Sequence, residues 1–367
     1  MKAALCTEVL YPLYGVERRV YEMARRLPNY GVKNEIATST AATHFPGLAV
    51  TQVSKPTITA PPKRNYVNCV KYMKNLYRFL TENKFDIIDA NGHMSLIPCS
   101  LASRKTGAPV VATLHDLYLT EWTAMYKGKA ALLGLPFEMV SAKMHFDKMI
   151  VLNSSIRHKL IASLRFPEEK IEIIPSGIDT KELDCVKAKK KGGEILFAGR
   201  LVPQKNVDVL LKAFSLVEGS RLTIIGEGTE RPRLLKLAKT LGISNRVNFL
   251  KPVPRKELIQ RMKAAAAFVM PSRRENFGIA PLEAMYCGTA TISTNTEGPK
   301  DYINDKENGM LAEIGDARHL ADSLMTVLSD GTLRRRLERN GRKTAAKYDW
   351  NNIVKRISQL YNETVAA

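Results

Sequence analysis

Two glutamates, Glu275 and Glu283, flank the segment Asn276-Phe277-Gly278-Ile279-Ala280-Pro281-Leu282, whose residue types suit a phosphorylated, hydroxyl-rich ligand. An apolar run ending at Met270 predicts a strand, and the pattern resumes as a helix near Ile279 that stops before Gly288. A helix N-terminus presents free backbone N–H groups and a partial positive charge, which suits a diphosphate. Gly278 has no side chain to hold an anion away from the backbone. Carboxylates at Glu275 and Glu283 accept hydrogen bonds from hydroxyls, as sugar and ribose recognition requires. A second set of candidates follows another strand end. Arg200 and Lys205 come shortly after Phe197-Ala198-Gly199, where two cations can reach one anion. Fixed cations placed where negative charge develops lower a barrier by roughly a few kcal/mol per donor.

These groups need a frame, and the chain supplies one. Short apolar runs alternate with longer amphipathic stretches, the pattern of parallel sheets with crossover helices. In the first half, strands are expected at Ala3–Cys6, Asn34–Thr38, Ile87–Asp89, Val110–Thr113, Met149–Val151 and Ile171–Pro175. Helices are expected at Glu17–Leu27 and Val67–Leu80, the second with Cys69/Val70, Met73, Leu76/Tyr77 and Leu80 on one face. The lysines and paired glycines of 184–193 read as a solvated linker. The pattern then restarts at Glu194, with strands at Arg221–Ile225, Val247–Leu250, Ala267–Met270 and Ala290–Ser293. The expectation is α/β: two Rossmann-like domains, 1–183 and 194–345, facing a central cleft. Ligands of open parallel sheets bind beyond the carboxyl ends of the strands, and a cleft between such halves is the natural active site.

Composition narrows the class. The 367 residues are 45% apolar and 25% charged, the balance of a globular protein of two ordinary domains. No run approaches the ~20 apolar residues of a membrane span, and the N-terminus lacks the apolar region of a signal peptide. A cytoplasmic protein is expected. Five scattered cysteines without Cys-x-x-Cys argue against a disulfide framework or a zinc site. The formal charge of +20 attracts polyanions without saying which. Runs such as Lys187 to Lys191 and Arg334-Arg335-Arg336 read as solvated surface. The chain contains no Asp-x-Asp, a common metal clamp in enzymes that handle diphosphates, so no metal ligands are assigned.

The Glu275–Glu283 segment closely resembles the Glu-x7-Glu motif of retaining GT-B glycosyltransferases of family 4 (group 1). The resemblance runs through most of the chain. Gly15-Val16-Glu17-Arg18 is similar to the family's glycine-rich first loop, with Tyr14 where a first glycine is usual. Thr113-Leu114-His115-Asp116 resembles the strand-end histidine, and Ser176-Gly177-Ile178-Asp179 the turn before the linker. Gly199-Arg200 to Lys205 matches the motif that places an arginine and a lysine on the donor diphosphate. The end of the chain, 346–367, resembles the helix that crosses back to the first domain.

The resemblance implies a hexosyltransferase-type enzyme that moves a sugar from a nucleotide-diphosphate sugar with retention of configuration and without a metal or other cofactor. It implies His115, Arg200, Lys205 and Glu275 as catalytic residues, and Gly15, Phe277, Gly278, Ile279 and Glu283 as donor-binding residues. His115 would position the sugar, Glu275 would hold its hydroxyls, and Glu283 would bind the ribose. The acceptor-side domain would be the N-terminal one, and the acceptor a glycan or lipid-linked molecule.

Other readings have weaker support. A retaining glycoside hydrolase needs its carboxylates about 5 Å apart, whereas eight residues of helix would separate the backbones by roughly 12 Å. Gly226-Glu227-Gly228 suggests a dinucleotide site, but Arg231 stands where the third glycine belongs. A nucleotide-sugar 2-epimerase of the same fold and a non-catalytic nucleotide-sugar or membrane-binding protein are the remaining alternatives. Nucleic acid is not an expected partner, since only charge supports it. An anionic membrane surface is one. Lys63, Arg64, Lys71, Lys74 and Arg78 accompany Tyr66, Tyr72 and Tyr77, and Lys127 and Lys129 accompany Leu132, Leu133, Leu135 and Phe137 in the stretch from Trp122.

Overall fold

The computed structural model describes residues 1–10, 15–40, 45, 47–59, 63–122, 129–190 and 192–367. Tyr14, Lys127 and Lys191 lie outside them, as do the side chains of Lys63, Arg64, Lys129 and Leu132. The chain divides into two compact units, Met1–Ser176 with Trp350–Ala367, and Gly177–Asp349.

The first unit is built on β1 (Lys2–Thr7), β2 (Lys33–Thr38), β3 (Val50–Gln52), β6 (Ile87–Asn91), β7 (Val110–Leu114), β8 (Lys148–Val151) and β9 (Ile171–Ile173). Two short strands, β4 (Ile58–Thr59) and β5 (Lys63–Arg64), form a separate antiparallel pair. The main sheet has the order β3-β2-β1-β6-β7-β8-β9, with every pair parallel. Strands covered on both faces must be apolar at successive positions, which is why the runs were legible. Alternate residues feed opposite layers. Ala4, Cys6, Ile88, Ala90, Ala112 and Leu114 pack in the layer that includes Tyr72, Leu76 and Leu80 of the helix Tyr66–Glu82. Ala3, Leu5, Ile87 and Val111 pack in the other, with Val20 and Met23 of the helix Gly15–Arg26.

The helix Tyr66–Glu82 corrects two readings. Asn65 caps it by accepting the Asn68 N–H at 3.1 Å. Val70, read as core, is 62% exposed, because the helix rotates Cys69 rather than its neighbour toward the sheet. Tyr72, read as part of a basic and aromatic surface, is fully buried and shares a 2.9 Å hydrogen bond with Ser95.

The helix Trp350–Ala366 belongs to the first unit. It buries Trp350, Ile353, Val354, Ile357, Leu360 and Tyr361, a helical stripe, in the layer with Leu5 and Val20.

The second unit has β10 (Glu194–Ala198), β11 (Arg221–Ile225), β12 (Val247–Leu250), β13 (Ala267–Met270), β14 (Ala290–Thr294) and β15 (Met310–Ala312) in the order β12-β11-β10-β13-β14-β15, again all parallel. The stretch 184–193, read as a solvated linker, lies inside this unit and is pinned to it. Lys190 donates to the carbonyls of Ala265 (3.1 Å) and Gly288 (2.8 Å) and to Glu338 (2.9 Å). Asp184 accepts from Tyr286 and Arg342. The arginine run is likewise partly committed, since Arg334 donates to the carbonyls of Val327 and Leu328 at the end of the helix Ala317–Ser329.

Candidate functional site

In the second unit the chain leaves β10 toward β11 and β12, then crosses to β13 on the other side of β10. That reversal makes the β10/β13 boundary the topological switch point, where open parallel sheets open a crevice at their carboxyl edge. The loops leaving both strands carry the residues singled out above.

After β10 the backbone is held from one side by the β11 loop. Gly199 N–H donates to Ile225 at 3.0 Å, and Leu201 N–H donates to Glu227 at 2.8 Å. This contact explains Gly226-Glu227-Gly228 without a dinucleotide. A Cβ on Gly226 would lie 1.9 Å from the Gly199 carbonyl oxygen, and one on Gly228 2.3 Å from that of Leu201. The two glycines are packing glycines. Arg200 follows with an exposed side chain, and the turn Pro203–Lys205 ends at Asn206, which is left-handed with φ 51°.

The loop after β13 is stitched to that turn. Arg273 N–H donates to the Gln204 carbonyl at 2.8 Å, and its Nε to Asn206 Oδ1 at 2.7 Å. Lys205 Nζ thereby meets Glu275 Oε2 at 2.5 Å, with both side chains less than a fifth exposed. The structure brings together a cation and a carboxylate that are distant in sequence.

Gly278 opens the helix Ile279–Tyr286 at φ 86°, a conformation that favours glycine. An added Cβ would meet the Tyr302 hydroxyl at 2.8 Å, and that hydroxyl donates to the Gly278 carbonyl at 3.0 Å. The first N–H groups of the helix, at Ile279 and Ala280, have no intrahelical acceptor by construction. Phe277 is buried, its ring 5.8 Å from Tyr302 and 5.9 Å from Tyr348. Its ring sets the loop, and its backbone is what the loop presents. Glu283, one turn into the helix, is 7% exposed and is gripped by Arg255. Sequence reasoning missed Arg255, which looks like any surface arginine at the start of a helix.

The first unit holds the other two candidates. Gly15 begins its helix, and a Cβ there would meet none of the described residues. His115 follows β7, is 8% exposed, and has no partner for Nε2 among the described residues. Burial, helped by the nearby Arg19 charge, pushes its pKa down to about 3, so the ring is neutral at pH 7. Next to it, His93 Nε2 lies 3.1 Å from Asp116. Burial alone would lower His93 and raise Asp116, but their contact reverses both directions. Buried Glu138 then fixes the following turn, accepting N–H groups from Tyr118 (2.8 Å), Leu119 (2.6 Å) and the Trp122 indole (3.0 Å). No spacing signal linked Glu138 to that turn.

Two doubly wound parallel-sheet units, the second with a cation–carboxylate pair at its switch point, define the GT-B class of glycosyltransferase. Comparison with known proteins agrees. The sequence model described as Glycosyltransferase Family 4 matches residues 14–182, and Glycosyl transferases group 1 matches residues 180–344. The chain belongs to this family, and it is a glycosyltransferase of the hexosyl-transferring class (EC 2.4). A D-inositol 3-phosphate glycosyltransferase of Acidothermus cellulolyticus is 25% identical, the alignment covering 96% of this chain and 86% of that one. One from Frankia alni is 27% identical over 96% and 95%. Among solved structures, sucrose-phosphate synthase from Thermosynechococcus elongatus superposes with TM-score 0.84 at 20% identity, covering 100% and 99% of the two chains. Anabaena HepE in complex with UDP and glucose gives 0.80 at 19% identity, covering 99% and 100%.

Among the described residues, no group of His, Cys, Asp or Glu side chains has the arrangement of a metal site. No helix among them is long and apolar enough to cross a membrane.

Proposed function

We propose that the chain transfers a sugar from a nucleoside-diphosphate sugar to a glycan or lipid-linked acceptor, with retention of configuration and without a metal ion. The observation that carries this reading is the Lys205–Glu275 pair at the switch point of the second sheet, in the loop that leads to the Gly278 helix start. Breaking a sugar–diphosphate bond leaves negative charge on the phosphate and oxocarbenium character on the sugar. Arg200 and Lys205 neutralise the departing diphosphate, and the N–H groups near Gly278 and Ile279 receive it. Glu275 holds sugar hydroxyls, Glu283 holds the ribose, and Phe277 sets the loop between them. In the N-terminal, acceptor-side domain, His115 is the residue assigned to position the sugar, and Gly15, at the start of its helix, is assigned to the donor. The acceptor attacks from the face the diphosphate leaves, and the departing phosphate takes the acceptor's proton.

Each glutamate faces a cation, the reverse of the apolar setting that keeps a hydrolase's general acid protonated. The ligands and names of the relatives point to UDP-glucose and to phosphorylated acceptors as the first compounds to try. Product analysis tests the reading. Transfer to an added acceptor, in EDTA, giving the donor's own anomeric configuration is expected. Free sugar, epimerised donor, an inverted product or loss of turnover in EDTA would contradict the corresponding part.

The membrane is the proposed meeting place with a lipid-linked acceptor, and the protein is proposed to be cytoplasmic and peripheral. Tyr66, Val67 and Val70 are 57–63% exposed on the helix that also exposes Lys71, Lys74 and Arg78. Co-sedimentation with vesicles containing anionic lipid, weakened by salt, is expected. Equal recovery with neutral vesicles would remove the electrostatic part of this proposal.

A further inference from the structure

We propose that Arg255 is a positioning residue that sets the Glu283 carboxylate for a hydroxyl of the donor ribose, with Glu182 as its second anchor. The inference rests on the assignment of Glu283 to the ribose and adds the device that orients it.

Arg255 opens the helix Arg255–Ala264, and its guanidinium touches two carboxylates along two edges. Nη1 donates to Glu283 Oε2 at 2.8 Å and Nη2 to Oε1 at 2.5 Å, an end-on fork. Nε and Nη2 donate to Glu182 Oε2 at 3.1 and 3.0 Å along the side edge. Glu182 lies on the helix Thr180–Cys185, so three helices meet at one planar cation.

The fork fixes what a lone glutamate cannot. A carboxylate rotates freely about its last torsion, whereas two parallel N–H···O bonds hold both oxygens in the guanidinium plane. Each oxygen keeps a second acceptor direction. The fork takes the lone pairs that face the guanidinium, so the outer acceptor direction of each oxygen is fixed in the same plane and is offered to a ribose hydroxyl.

The side-on contact has its own purpose. A cation at a helix N-terminus opposes the helix dipole. Two carboxylates outweigh that, and although burial acts to lower the pKa of Arg255, Glu283 and Glu182 raise it above the ordinary arginine value. Without Glu182, the guanidinium would have only Glu283 to fix its plane. Lysine cannot substitute, because a point charge on a flexible stem does not set a carboxylate plane. A site built to hydrogen-bond a hydroxyl also rejects the analogue that lacks it. Arg255 is therefore a determinant of ribose over deoxyribose.

The test uses the full chain and UDP, GDP and ADP, each with its 2′-deoxy counterpart, in titration calorimetry. Arg255→Lys, Arg255→Ala and Glu283→Gln are compared with wild type, and melting curves show which variants remain folded. For the best-bound ribonucleotide, a loss of roughly tenfold is expected in Arg255→Lys, as for hydrogen bonds to a charged group. The matching 2′-deoxynucleotide should bind wild type and Arg255→Lys alike. In turnover, donor KM should rise while kcat stays nearly constant.

Ribonucleotide binding unchanged or tighter in a folded Arg255→Lys, together with weaker binding in Glu283→Gln, would overturn the role of Arg255 and leave the ribose assignment standing. Undiminished discrimination in Glu283→Gln would overturn both.

Discussion

Lys205→Ala is expected to lower kcat about 10²- to 10³-fold, the usual loss when one fixed donor to a developing anion is removed. Donor KM should change far less. Lys205 sits in a turn whose ends are fixed by Leu201 and Asn206, and its ammonium is held at 2.5 Å from Glu275. A cation held in advance loses little on reorganising, so its effect falls on the step in which diphosphate charge appears. Lys205→Ala also deprives Glu275 of its counter-ion, leaving the Ser272 hydroxyl at 3.5 Å as its nearer polar neighbour. Lys205→Arg should recover part of the rate, since charge is kept while reach changes. Steady-state kinetics with UDP-glucose, or with whichever tested nucleotide sugar turns over, decide it. A kcat equal to wild type in a folded Lys205→Ala would remove Lys205 from the chemistry.

The second large effect concerns stability. Arg19→Met is expected to destabilise the first unit by about 1–3 kcal/mol, the usual cost of leaving a buried hydrogen-bond acceptor unsatisfied, with a further electrostatic loss at Asp89. Arg19 has no exposed surface, donates to the Pro175 carbonyl at 2.7 Å, and acts electrostatically on fully buried Asp89. Asp89 accepts a hydrogen bond from the Tyr361 hydroxyl of the last helix. Burial lowers the pKa of Arg19 to about 10 and raises that of Asp89 to about 6.

The sign of the pH effect follows. A carboxyl raised from 3.8 favours the fold when protonated, and this contribution is lost as pH rises from about 4 through 6. Removing Arg19 takes a favourable nearby charge from that carboxylate only where it is ionised. The penalty should be large at pH 8 and much smaller at pH 5. Both tryptophans, Trp122 and Trp350, lie in the first unit, so urea titrations followed by tryptophan fluorescence report on it. Asp89→Asn added to Arg19→Met should restore part of the loss at pH 8. A penalty independent of pH would show that packing, not charge, is what Arg19 supplies.

These two cases mark how far the sequence could be read. Strands such as Ile87–Asn91 and Ala267–Met270 were visible because a two-sided sheet tolerates no polar interruption at most positions. The same rule hides Asp89, a charge inside such a strand, whose partners Arg19 and Tyr361 are far away in the chain. The Glu275 to Glu283 segment was legible because a strand end, a glycine and a helix start follow one another within a few residues. Arg255 and Glu182 were not, since each reads locally as a solvated charge and only tertiary packing brings them to Glu283. Lys190 is similar. Its run of lysines suggested free linker, yet its ammonium ends at two carbonyls and a carboxylate of the second unit.

The glutamate pair is thereby better defined than spacing alone allowed. Glu275 belongs with Lys205 and Glu283 with Arg255, two separate cation-held carboxylates on the two sides of the Gly278 helix start.

The most direct test of the donor site is a thermal-shift screen of wild type and Glu283→Ala against UDP, GDP, ADP and their sugars. Ligands that bind only the folded state raise its melting temperature in proportion to ln(1 + [L]/Kd). The account predicts that one nucleotide series stabilises wild type and that its shift is largely lost in Glu283→Ala. No shift with any of these nucleotides, or an equal shift in the variant, would contradict it.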